Sequence, residues 1–260
     1  MMQLSIEPGA SRTAVRAAVL SEAPGPLRVE ELGLDDLLAP DEVRVQVHSC
    51  GLCHSDLHMV DGEMPVALPT IPGHEISGTV EAVGERVTGV AVGDRVVACL
   101  SVFCGVCAEC RAGRSSLCVR RNDLGRDGRP APRLVRADGT PVNQAAGLGG
   151  FAERTILHQN SVVKVSDEVP TDRAGLLGGA VLTGIGSVLN GAKVRPGESV
   201  AVIGCGGVGL NVIQGARLAA ASTIIAVDPN DENLRLAEQF GATHTVNPAA
   251  GDPIAAVTEL

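Results

Sequence analysis

Four cysteines fall within fifteen residues, at Cys104, Cys107, Cys110 and Cys118, spaced three, three and eight apart. Four thiolates fill the tetrahedral shell of zinc and leave no coordination position open, so the string reads as a closed, structural zinc lobe. The same ligands would also suit an iron–sulfur cluster, and the plainest alternative is a chance grouping of core cysteines. A second string, Gly204-Cys205-Gly206-Gly207-Val208-Gly209, follows an aliphatic run and opens a helical one. In that setting Gly204 permits a tight turn, Gly206 lets backbone approach a pyrophosphate, and Gly209 allows close helix–strand packing. Helix-terminal N–H groups would then meet the phosphate charge. The next aliphatic run ends at Asp228, nineteen residues beyond Gly209. A carboxylate there accepts hydrogen bonds from an adenosine ribose and repels a 2′-phosphate, which favours NAD over NADP. A glycine turn without a ligand is the alternative.

Two kinds of element must hold these strings in place. From Ala14 to about Val165, short β-branched runs such as 43–47, 78–84 and 94–97 alternate with Gly, Pro and Asp turns, the rhythm of a β-rich, barrel-like domain. Residues 1 to about 13 read as a polar tail, and Arg120 to Gly150 as a long loop. After Pro170 strands alternate with helices: strand 199–203, helix 208–220, strand 223–227, helix 230–240 closed by Gly241, strand 243–246. That is a βαβαβ unit and hence a parallel sheet. The division expected is 1–170 for the β-rich domain and 171–260 for the nucleotide-binding one.

Composition narrows the function. The chain has 260 residues, a formal charge of −9 and 1% aromatics, with no Trp or Tyr. An acidic, aromatic-poor chain argues against nucleic-acid and anionic-membrane partners. The longest apolar stretch, 200–213, is broken by four glycines and Asn211, too interrupted to span a bilayer. Arg16 splits the only apolar run near the start, so no signal peptide is expected, and clustered thiols then point to a reducing cytoplasm.

Two further strings, Gly51-Leu-Cys-His-Ser-Asp-Leu-His58 and Gly73-His-Glu75, precede the cysteine lobe and the glycine-rich turn. In this order the four strings resemble the zinc-dependent alcohol dehydrogenases of the medium-chain dehydrogenase/reductase family, from about Ala17 to the end. The resemblance implies a GroES-like β-barrel catalytic domain followed by a Rossmann domain, a doubly wound parallel sheet. It implies one structural and one catalytic zinc, NAD, and a small alcohol or aldehyde adduct as substrate. Cys53 and His74 match ligands of the catalytic zinc, Asp56 the carboxylate that orients the histidine, and Ser55 and His58 a proton relay. His54 matches a residue beside the cofactor pyrophosphate, and Thr183 and Val208 residues that line the nicotinamide. A full-length form would be a homo-oligomer. His48, His158 and His244, with Cys50, Cys99 and Cys205, read as structural side chains.

Two departures stand out. Where the family commonly places a third ligand cysteine before a Thr-Gly-x-Gly turn, here Thr183-Gly184-Ile185-Gly186, this chain has Gly179. Some polyol-type relatives use the Glu after the ligand histidine instead, which is Glu75. The chain also supplies one mononucleotide half where a dinucleotide fold has two. The Rossmann domain therefore reads as incomplete, its third strand an open aliphatic edge, and little or no activity is expected of residues 1–260 alone. Besides a dehydrogenase, a non-catalytic zinc- and nucleotide-binding remnant fits these features, while the intact Cys53 and His74 disfavour a reductase without catalytic zinc.

Overall fold

The computed structural model describes residues 11–124 and 132–260. Two compact units divide it, Met1–Gly178 and Gly179–Leu260.

In the first unit the first strand alternates more and less buried side chains over residues 14–19, as a half-buried pleat requires. β1 (Arg12–Leu20) turns Val15, Ala17 and Val19 inward and pairs antiparallel with β2 (Leu27–Asp35), which contributes Leu32 and Leu34 to the same cluster. β3 (Glu42–Gly51), β4 (Thr70–Ile71), β5 (Glu75–Val83) and β6 (Arg95–Ala98) follow, with helix α1 (His54–Val60) between β3 and β4 and the short α2 (Ala108–Arg111) after β6. β7 (Leu134–Val135), β8 (Pro141–Gln144), β9 (Arg154–His158) and β10 (Val162–Lys164) complete the strands, and α3 (Thr171–Ala174) the helices. A closed barrel runs β1-β2-β7-β8-β4, and a five-stranded sheet runs β10-β6-β5-β3-β9. Val43, Val45, Ile76, Val80, Val96 and Leu157 form the aliphatic core of that sheet.

The structure corrects two sequence readings. The stretch read as a long loop, Arg120 to Gly150, contains β7 and β8, which close the barrel through Leu134, Val135 and Val142, all buried. Strands of two and four residues are too short to show a period. Part of that stretch, 125–131, lies outside the described residues, as do residues 1–10 of the tail. Arg12 and Thr13, assigned to the tail, belong to β1, and the Arg12 guanidinium donates to the carbonyls of Gly33 and Pro132.

Glu42 and Arg133 tie the barrel to the sheet. Arg133 Nε lies 2.7 Å from Glu42 Oε1, with the two side chains only 17% and 2% exposed, and Glu42 also accepts from Ala39 N. Removing Arg133 takes a cation from beside the buried Glu42 carboxylate, so Arg133→Met is expected to lower the unfolding free energy by about 3 kcal/mol. Chemical denaturation measures this; a loss below about 1 kcal/mol, the range of an exposed pair, would contradict it.

The second unit opens with α4 (Ala180–Gly186) and continues β11 (Ser199–Ile203), α5 (Gly207–Leu218), β12 (Thr223–Val227), α6 (Asp231–Phe240), β13 (His244–Val246) and α7 (Pro253–Thr258). The strands are parallel in the order β11-β12-β13. Asn230 caps α6 by accepting from Glu232 N, and Gly241 at φ +120° ends it. α4 and α5 approach closely because Gly184 has no Cβ: one built there would stand 2.5 Å from Asn211 Cβ. The sheet ends at β11 as well as at β13. Ala256 and Val257 pack against β13's Val246, whereas β11 leaves Ile203 86% exposed, so the barer apolar edge is the first strand.

Candidate metal and nucleotide sites

Cys53 sits at the cap of α1 in extended geometry, and the helix carries Ser55, Asp56 and His58. Asp56 is the organising residue. One carboxylate oxygen accepts from Cys53 N at 3.1 Å, closing the cap of the helix. The other accepts from Gly73 N at 2.9 Å and lies 3.4 Å from His74 Nδ1. Asp56 thus holds the start of α1 against the turn preceding β5 and fixes the imidazole with Nδ1 toward the carboxylate and Nε2 left for a metal. That turn depends on Gly73, at φ +91°, because the Phe151 ring and backbone occupy the place of any Cβ.

Electrostatics follow the geometry. The hydrogen bond to Asp56 raises the His74 imidazole to about 9 against the opposing effect of burial, and Cys53 adds to the rise. Burial acts to raise Asp56, but hydrogen bonds with His74, Gly73 and Cys53 outweigh it and hold the carboxyl below its usual range. A thiol and an oriented imidazole with an ion pair behind it are donors suited to zinc. The Cys53 thiol lies 3.6 Å from Ser55 Oγ. His58 Nδ1 pairs with Glu63 near solvent, and its ring meets that of His54 edge-on, centroids 4.9 Å apart. Glu75, 3% exposed, directs its carboxylate over Gly51. Among the described residues Cys53, His74 and Glu75 do not gather their donor atoms within 4.8 Å of one another.

The four cysteines of the lobe do: the Sγ atoms of Cys104, Cys107, Cys110 and Cys118 all lie within 4.8 Å of one another. Backbone N–H groups point at the sulfurs, Cys104 N to Cys118 Sγ and Cys107 N to Cys104 Sγ, both at 3.3 Å. Such donors favour thiolates, and the backbone amide of Cys110 is the largest influence bringing Cys107 down to about 6. Cys50, by contrast, is pushed up to about 12 by burial and stays a packing thiol.

In the second unit Gly204 takes φ +87° at the end of β11, and Gly206 caps α5. A Cβ on Gly206 would meet nothing within 4 Å, leaving the backbone open to a ligand, whereas one on Gly209 would stand 1.9 Å from the Gly204 carbonyl oxygen. Gly207 follows at the first position of α5. Thr183 and Val208 are exposed on neighbouring helices, joined where Gly184 packs on the Val208 carbonyl. Asp228 is 6% exposed. One oxygen accepts from Cys205 N at 2.8 Å, the other from Asn230 N at 2.8 Å and Asn233 Nδ2 at 3.2 Å. Burial acts to raise it, but these bonds prevail and keep it below the usual carboxylate range. Sequence reasoning missed both the clamp on the glycine turn and the Glu75–Gly51 contact; the signal for each was a glycine or an amide distant along the chain.

Residues 39–167 match the alcohol dehydrogenase GroES-like domain, and 207–260 the zinc-binding dehydrogenase domain. The fold is similar to an alcohol dehydrogenase zinc-binding domain protein from Burkholderia ambifaria, with TM-score 0.88 and 39% identity over 95% of this chain and 67% of that one. The chain belongs to the zinc-dependent alcohol dehydrogenases of the medium-chain dehydrogenase/reductase family. Benzyl alcohol dehydrogenase from Acinetobacter calcoaceticus gives TM-score 0.84 and 36% identity, again over 95% and 67% of the two chains. A zinc-binding dehydrogenase from Sinorhizobium meliloti 1021, similar at TM-score 0.73 and 31% identity over 93% and 64%, was solved with NADP bound. Among curated relatives, the S-(hydroxymethyl)glutathione dehydrogenase of Paracoccus denitrificans is 42% identical over 90% of this family member. The match spans 63% of that relative's length. Both units of the fold, the GroES-like barrel and the Rossmann-like parallel sheet, are those of the family.

Proposed function

We propose that this chain serves a zinc-dependent oxidoreductase that moves hydride between an alcohol, or an aldehyde adduct, and NAD. The observation that carries the reading is the Asp56-oriented His74 beside Cys53, an arrangement that prepares an imidazole and a thiolate for a metal. Zinc held by Cys53 and His74 would supply a Lewis acid that acidifies a bound alcohol and stabilises charge developing on its oxygen. Ser55 takes the hydroxyl proton, and His58, paired with Glu63 near solvent, passes it outward. The glycine-rich turn and the start of α5 would hold the pyrophosphate, with Thr183 and Val208 lining the nicotinamide. The glutathione-adduct dehydrogenases among its relatives make hydroxymethyl adducts, alongside simple primary alcohols, the substrates to try. Zinc per folded chain, with NAD reduction by a primary alcohol, decides the matter. Two zinc ions are expected, with alcohol-dependent NADH formation far slower than is ordinary for such an enzyme. A second reading, a non-catalytic remnant, is favoured by Gly179, which offers no ligating side chain. One zinc, confined to the four-cysteine lobe, and no NADH would establish that reading instead.

Cofactor choice rests on Asp228. NAD is expected to bind at least tenfold more tightly than NADP, and Asp228→Ala to narrow that ratio by removing the repulsion of a 2′-phosphate. Titration with both nucleotides tests this; tighter binding of NADP to the unaltered chain would remove the role given to Asp228. Because Asp228 also holds Cys205 N, the variant should lose some affinity for both nucleotides.

A further inference from the structure

We infer that His54 and His58, with Glu63 behind them, form an exchangeable site for a divalent transition cation such as zinc or nickel, separate from the two metal sites described above. The two histidines stand four residues apart in α1 and so share one face of the helix. An H-E-x-x-H helix presents two imidazoles to one zinc at that same spacing. Their ring centres lie 4.9 Å apart. A ring bonded to a metal through one nitrogen has its centre about 3.2 Å from the ion, so two rings at square or tetrahedral angles have centres about 4.5 to 5.2 Å apart. The observed spacing falls inside that interval. His54 is exposed, so its ring can turn a nitrogen toward the shared point without movement of the backbone.

Glu63 supplies what an exposed histidine pair ordinarily lacks. His58 Nδ1 donates to Glu63 Oε2 at 2.5 Å, which leaves Nε2 with the lone pair that a metal needs. The chain after α1 is folded so as to return Glu63 to this place. Gly62 turns back at φ +75°, where a Cβ would stand 3.2 Å from Pro24 N, and Met64 N donates to the His58 carbonyl at 3.0 Å. Met59 and Met64 anchor the two sides of the turn in one cluster with Leu20. Among the described residues no Lys or Arg competes for Glu63. Two imidazoles leave the other coordination positions to water, so the cation is held less tightly than zinc among four thiolates and is lost on desalting. One consequence rests on the proposed relay: the outgoing proton and the cation claim the same nitrogen, His58 Nε2, so excess zinc closes the exit.

The test is calorimetric titration of Ni²⁺ into the zinc-loaded, desalted chain at about pH 8, since imidazoles ligate only in their neutral form. No substrate or nucleotide is present, so the outcome is independent of hydride transfer. One Ni²⁺ per chain is expected. His54→Gln and His58→Gln should each weaken its binding by about tenfold or more, and Glu63→Gln by about tenfold, the scale on which residues behind a metal ligand act. His244→Gln, an exposed histidine in the other unit, should leave it unchanged. So should Cys53→Ser, which removes a donor of the proposed catalytic zinc while serine still caps α1. Melting temperatures and the zinc kept by the four-cysteine lobe report folding. No Ni²⁺ binding, or binding that survives the loss of either histidine, overturns the site. Binding lost with Cys53→Ser places nickel between Cys53 and His74 and overturns it too. Binding that needs both histidines but ignores Glu63→Gln overturns the part given to Glu63.

Discussion

Cys107→Ser is expected to release one zinc ion per chain and to unravel the segment from Cys104 to Cys118. Little besides the metal would hold that segment. α2 spans four residues and buries none, and of the four cysteines only Cys118 is buried. A helix of one turn has no intrinsic stability, and none of the three aliphatic clusters of the first unit includes a residue of the lobe. The sulfurs are already gathered, Cys107 and Cys110 at 3.4 Å and Cys104 and Cys110 at 3.9 Å. Zinc bound to four thiolates contributes its binding free energy directly to folding, on the order of 10 kcal/mol in small zinc domains. Serine removes a thiolate, the backbone donor network around Cys104 loosens, and the segment becomes open to proteases while the barrel keeps its own core. Elemental analysis combined with limited proteolysis measures both effects. A folded preparation of the unaltered chain without zinc, or a serine variant that keeps its zinc and its resistance, would sink the assignment.

Gly209→Val should disable the nucleotide turn and destabilise the second unit by about 3 kcal/mol or more, at the upper end of overpacking costs. The atom a new Cβ would strike is the backbone oxygen of Gly204, at 1.9 Å, with the carbonyl carbon at 2.9 Å. Neither can swing aside as a flexible side chain would. Opening the gap means moving α5 off the end of β11 or undoing the φ +87° turn at Gly204, and either change misaims the N–H groups intended for phosphate. Gly206→Ala supplies the contrast. Its φ of −77° suits any residue and nothing lies within 4 Å of the added carbon, so the melting temperature should barely move. Nucleotide binding should weaken all the same, because the methyl group occupies the path of the pyrophosphate. Calorimetric titration with NAD, paired with thermal melts, separates the two. Equal loss of stability in both variants, or tight binding by Gly206→Ala, would refute the roles assigned to these glycines.

What could be read from the chain was what is encoded locally. The parallel unit was legible because its boundaries are marked in sequence, by Asn230 capping α6, Gly241 ending it and the aliphatic runs of β11 and β12. The cysteine lobe was legible because its ligands lie within fifteen residues. β7 and β8 were not: two and four residues long, they pair with each other as a short hairpin and otherwise depend on β2, about a hundred residues away, and on β4, seventy-three residues away. Long-range pairs escaped for the same reason. Glu42 meets Arg133 ninety-one residues on, Asp228 clamps Cys205 from twenty-three residues away, and Glu75 folds over Gly51 across a ladder. Glycine marked several of these places without naming the neighbour that required it.

The aliphatic make-up of the cores has an optical consequence. The chain's aromatics are Phe103, Phe151 and Phe240; Phe151 packs on the barrel cluster and Phe240 on that of the parallel sheet. With neither indole nor phenol anywhere, the protein is nearly transparent in the near ultraviolet and has no tryptophan emission of its own. The light absorbed or emitted by a reduced nicotinamide would therefore appear against a dark background. The molecule's own poverty in chromophores makes any bound chromophore directly visible.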